Sequence, residues 1–239
     1  MVSYMPSHKI HAIVGKLICD FSSRDIDELI DSYKHDLSRI YCKEFFEQAT
    51  TIYEKYGSKG ICYLALHHYL DKLSSIIKGR TIRLLIFQIL YRKTFSVNKL
   101  INEIRVGLND EISVLSLLTT HESLLYTYDP YTRIFYHRRT LIEKGYSKAT
   151  ARRKTNLLFE IVTECRNTIE RMKEIYGSDY EVMMFVDTIK QGVERAYLGV
   201  LFNLNKILCI LLIEEKDYWE RFFGLETYNN IITILNCNK

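Results

Sequence analysis

Apolar positions recur at helical spacing along most of this chain. Ile10, Ile13, Val14, Leu17 and Ile18 mark a first helix. A second begins after Ser23, a natural N-cap residue. It carries Asp25 and Asp27 in its first turn, at the positive end of the helix dipole, and Ile26, Leu29, Ile30 and Tyr33 beyond them. A third runs from about Ser38 to Tyr56, with Ile40, Phe45, Phe46, Ala49 and Tyr53 expected inside. It is predicted to stop at Gly57-Ser58-Lys59-Gly60. Ile61 to Ile77 reads as a further helix ending near Gly79.

The next stretch changes period. Thr81 to Lys93 is a very apolar helix. Ser96 can cap a short one with Val97, Leu100, Ile101 and Ile104, and Gly107 is suited to a tight turn. Asn109 caps a third, Asp110 to about Thr120. After His121 the alternation becomes two. Leu124, Tyr126 and Tyr128 oppose Leu125 and Thr127, Asp129-Pro130-Tyr131-Thr132 makes a turn, and Ile134 and Tyr136 oppose Phe135 and His137. Three helices followed by a hairpin resemble the winged helix-turn-helix superfamily, over about 81–139. The resemblance implies a mainly α protein with a central winged-helix module at 80–140, flanked by helical regions at 1–79 and 141–239. It further implies nucleic-acid binding in transcription, replication or genome maintenance, with Ser113, Ser116 and Thr120 of the third helix in the major groove.

Beyond the hairpin, Ser147 to Tyr176 reads as one long helix with an apolar stripe that includes Leu158, Ile161, Cys165 and Ile169. Such a stripe suits core packing or a homodimer contact through the C-terminal helices. Two or three more helices finish the chain. Ala196 to Ile213 approaches the length of a membrane span, but Asn203, Asn205 and Lys206 at its middle favour a buried core helix and no membrane role.

Composition narrows the class. A 47% apolar, 26% charged chain is not disordered, and 10 Gly with 2 Pro disfavour an all-β sandwich. The six cysteines form no C-x-x-C pair, and nothing at the N-terminus resembles a secretory signal. Reduced thiols in a cytoplasmic protein are the expectation.

Net charge is +4, yet Arg133, Arg138, Arg139, Lys144, Lys148, Arg152, Arg153 and Lys154 stand against Glu143 alone in one window. This cluster, with His137, is the expected phosphate-binding surface. The third helix has no Lys or Arg, which argues for weak sequence specificity toward duplex DNA.

Other chemistry finds less support. His8-x-x-His11 lacks a third ligand nearby in sequence, and adjacent His67 and His68 diverge by about 100° on a helix and cannot share an ion. Arg133-x-x-x-His137 lacks the spacing of HEPN-type ribonucleases. No nucleotide, hydrolase or zinc-protease motif occurs. No enzyme, metal or cofactor is therefore expected. The alternative function is a helical adaptor, from a virus or mobile element, that binds a partner protein.

Overall fold

The computed structural model describes residues 6–32, 43–91, 96–107, 138–139, 141–143, 145, 147–153, 155–156, 174 and 179–237. These residues are mainly α and contain no strand. Helix α1 spans His8–Cys19, α2 Arg24–Ser32 and α3 Lys43–Tyr91. Four further helices follow near the C-terminus: α4 Asp179–Phe202, α5 Leu204–Glu214, α6 Lys216–Phe223 and α7 Leu225–Leu235. Residues 97–107 are also helical.

α3 is the axis of the molecule. Between Gly60 and Ile77 every residue except Lys72 and Ser75 is buried, so this segment of the helix is enclosed nearly all round, its polar residues included. α4 forms the most extensive helix pair with it, and α1 and α2 pack on it as well. Glycine allows α4 to approach α3 closely. A Cβ on Gly192 would lie 2.6 Å from Ile61 Cγ2 and 3.1 Å from the Cys62 nitrogen.

The C-terminal helices make a second apolar layer. Trp219 and Phe223 of α6 meet Leu208, Leu211 and Leu212 of α5, Ile231 of α7 and the 97–107 helix, and together they line a wholly apolar cavity. Tyr228 donates its hydroxyl proton to the Leu212 carbonyl at 3.0 Å, which joins α7 to α5.

Several expectations change here. The winged-helix module does not stand. Its first helix is the continuation of α3, which passes through Gly79 without interruption. Nothing lies within 4 Å of a Cβ built at Gly79. An exposed glycine inside a helix costs only about 1 kcal/mol, and the buried turns before it outweigh that. The short helix after Ser96 forms as expected, with Lys99 N–H donating to Ser96 Oγ at 3.4 Å. Gly107 is the last described residue of that helix, buried against Ile76 and Arg80, and the rest of the expected turn at 108–109 lies outside the described residues.

The expected third helix and hairpin, with Ser113, Ser116, Thr120, Arg133 and His137, lie outside the described residues, as do Lys154 and the apolar stripe of the 147–176 helix. The glycine-rich break appears as a kink at Gly57, with φ 63° and ψ −155°. The apolar stretch 196–213 is two helices that bend by 77° at Asn203. No single helix among the described residues is long and apolar enough to cross a membrane.

The four cysteines among the described residues also depart from expectation. Cys19–Cys62 and Cys209–Cys237 are disulfides, with Cα atoms 5.8 and 5.2 Å apart. Helical packing brings together residues 43 and 28 positions apart in sequence, a pairing that linear spacing does not reveal.

Candidate metal centre

Three helices turn polar residues inward at a helical repeat. α1 contributes His8 and His11, α2 contributes Asp27 and Asp31, and α3 contributes Tyr63, His67 and Asp71. Residues three or four apart share a helix face, so each helix presents its set as a row. The rows meet. His11, Asp27, Tyr63, His67 and Asp71 are buried, while the His8 and Asp31 side chains remain 40% and 37% exposed. The cluster has a sealed floor and one edge open to solvent.

Asp27 organises the floor. Tyr63 donates its hydroxyl proton to Asp27 Oδ2 at 2.9 Å, and His67 Nδ1 lies 2.8 Å from Asp27 Oδ1. That bond draws the ring proton to Nδ1 and leaves Nε2 facing the cluster. The His11 and His67 rings are 4.0 Å apart between centroids. At the open edge His8 Nε2 bonds Asp31 Oδ2 at 2.6 Å, and Asp31 Oδ1 is 3.7 Å from His67 Nε2.

Asp71 lies between the two buried imidazoles. Its Oδ1 is 3.4 Å from His11 Nε2 and its Oδ2 is 3.4 Å from His67 Nε2. Charge-assisted hydrogen bonds run about 2.7–2.9 Å, so neither contact is a tight pair. Both nitrogens of His11 and both oxygens of Asp71 are inaccessible to solvent and make no hydrogen bond among the described residues. Ligand atoms of His11, His67 and Asp71 all lie within 4.8 Å of one another. Two atoms each about 2.1 Å from one tetrahedral ion sit about 3.4 Å apart. Two imidazoles and a carboxylate suit zinc-like ions, whereas calcium and magnesium prefer all-oxygen sites.

Electrostatics of the metal-free cluster follow from burial and neighbours. Burial pulls His11 below its ordinary 6.5. Burial also opposes charge on His67, but the Asp27 bond and the Asp71 carboxylate outweigh it and raise the group to about 9. Burial alone would raise Asp71, yet the two imidazoles beside it hold its carboxyl well below the usual range. Burial and the Asp27 charge push the Tyr63 phenol far up, so it remains a donor.

A histidine raised above its unfolded value stabilises the fold fully below about pH 6.5, and that contribution disappears as pH climbs through about 9. In EDTA, the stability gap between wild type and His67→Gln is therefore expected to be largest near pH 6 and to shrink by pH 9. Urea midpoints at the two pH values measure it. A gap independent of pH contradicts this assignment.

The residues expected to bind phosphate occupy other surroundings. Arg138 is helical and donates through Nε to Thr155 Oγ1 at 2.9 Å, and through a terminal nitrogen to Asn156 Oδ1 at 3.3 Å. Arg139 pairs with Glu143 at 3.0 Å. Lys148, Arg152 and Arg153 are exposed on the helical turns of 147–153.

The His/Asp cluster drew no support from linear spacing, because the groups that meet His11 come from α2 and α3. A signal was present nonetheless. His67 and Asp71 stand four apart in a mostly apolar segment, and Asp27 and Asp31 have the same spacing in α2. No family model, no curated protein and no solved structure matches this chain.

Proposed function

We propose that this protein holds one divalent transition-metal ion between His11, His67 and Asp71 and uses it in hydrolysis. The observation that carries the reading is the convergence of these three buried side chains, with ligand atoms within 4.8 Å of one another. Closed structural zinc sites use four protein ligands, whereas catalytic ones use three and leave a position open. Here the fourth side borders the half-exposed Asp31. A bound ion would supply Lewis acidity and lower the pKa of a coordinated water toward 7.

The protein's own groups do the rest. Asp27 fixes the His67 ring, Tyr63 fixes Asp27, and Asp31 with its partner His8 offers a proton path from the cluster to solvent. Titrating the metal-free protein with Zn2+ is expected to saturate at one equivalent. The loaded protein is expected to hydrolyse 4-nitrophenyl phosphate or acetate faster than His67→Gln does. Absence of saturable binding overturns the centre, and binding without hydrolysis overturns the catalytic role.

The two disulfides favour an oxidising compartment over the cytoplasmic location expected from the N-terminus, since reducing compartments keep thiols free.

Exposed Lys148, Arg152 and Arg153 support a second reading, nucleic-acid binding through helical turns in place of a wing. Replacing the three by Ala is expected to flatten the log–log salt dependence of duplex binding by about 2.7, at about 0.9 per phosphate contact. An unchanged slope removes this surface from consideration.

A further inference from the structure

We propose that oxidation of Cys19 and Cys62 to their disulfide matures the metal centre, so that metal capture waits on an oxidising environment. The inference rests on the metal reading above and adds its regulation.

His11 stands on α1, while His67 and Asp71 stand on α3. The Cys19–Cys62 bond ties the same two helices covalently. Counting along the helices at about 1.5 Å per residue, Cys19 lies about 12 Å from His11 and Cys62 about 8 Å from His67. The tie is therefore near the cluster without touching it. The loop that it closes contains all of α2, and with it Asp27 and Asp31. Both cysteines belong to the buried core, at 0% and 1% exposure.

An ion held by His11 on one helix and by His67 and Asp71 on the other would tie α1 to α3 a second time. The first tie removes chain freedom that the second would otherwise have to remove. Metal and disulfide therefore favour each other. Linkage makes the effect reciprocal: the factor by which the disulfide tightens metal binding is the factor by which bound metal protects the disulfide from reduction.

The oxidising step needs only a small-molecule disulfide. One cysteine thiolate attacks it and releases one thiol, and the second cysteine then displaces the other. One S–S bond forms and one breaks, and the oxidant leaves as two thiols that carry the hydrogens lost by Cys19 and Cys62.

The test uses a background in which Cys42, Cys165, Cys209 and Cys237 are all replaced by Ala, so that Cys19 and Cys62 are the only thiols left to oxidise or reduce. Zn2+ affinity is measured by competition with a chromophoric chelator, before and after reduction by a phosphine. Reduction is expected to weaken binding about tenfold, and Cys19→Ala with Cys62→Ala is expected to do the same. On the oxidised protein, Zn2+ should slow phosphine reduction, a readout independent of whether the variant folds. Equal affinity in oxidised and reduced forms, with no protection by Zn2+, overturns the coupling and leaves the centre standing. Absence of Zn2+ binding in every form overturns both.

Discussion

His67→Gln and Asp71→Asn are each expected to weaken Zn2+ binding at least about 100-fold, more than the 10–100-fold typical of losing an outer-shell partner. Each replaces a ligand atom with a poorer one of similar shape, so the packing of the enclosed helix changes little. Asp27→Asn belongs to the outer-shell class. It weakens the hold on His67 Nδ1 without touching the three ligands, so an intermediate loss is expected. The order is what distinguishes the readings. A buried ion-pair network with no metal role would make all three variants unstable without any graded loss of metal. Calorimetric titration with Zn2+, alongside a urea curve for each variant, separates the two.

Gly15→Ala is expected to destabilise the fold by about 1–3 kcal/mol, the usual range for overpacking a core. A Cβ there would run into the Tyr63 ring and lie 2.6 Å from the Phe21 carbonyl oxygen. The ring is held from the other side as well, since it meets Phe21 edge-on at 5.9 Å between centroids. The added methyl therefore has to move α1 or swing Tyr63 away from Asp27. Either shift disturbs the floor on which His67 rests, so weaker metal binding should accompany lower stability. Gly79→Ala is the contrast. It is exposed and helical with open space around it, and it is expected to gain about 0.5–1 kcal/mol by restricting the unfolded chain. Thermal or urea unfolding of both variants checks the pair, and equal effects would contradict the close approach of α1 to α3.

Periodicity revealed the helices, because the buried stripes on α1, α2 and the 97–107 helix follow a 3.6-residue repeat. It misplaced their ends. Gly79 reads as punctuation, yet the helix runs straight through it. A glycine carries no record of whether its neighbours offer enough burial to extend a helix through it. Asn203 shows the opposite case: an apolar run that reads as one helix turns by 77° there.

The site was less legible still. His8 and His11 looked like a ligand pair without a third member, and His67 with His68 looked like two side chains facing apart. The second judgement is sound for the pair, since only His67 joins the cluster. What linear reading lacked was the antiparallel return that sets α3 against α1 and places Asp71 between His11 and His67. Polar residues four apart inside an apolar helix are the trace that such a site leaves in sequence. Their partners appear only with the packing.

X-ray absorption at the zinc edge of the loaded protein tests the central claim most directly. Two imidazole nitrogens and carboxylate oxygen at about 2.0–2.2 Å are predicted, with no sulfur. Sulfur ligation, or a zinc ion surrounded by oxygen alone, would contradict a centre built from His11, His67 and Asp71.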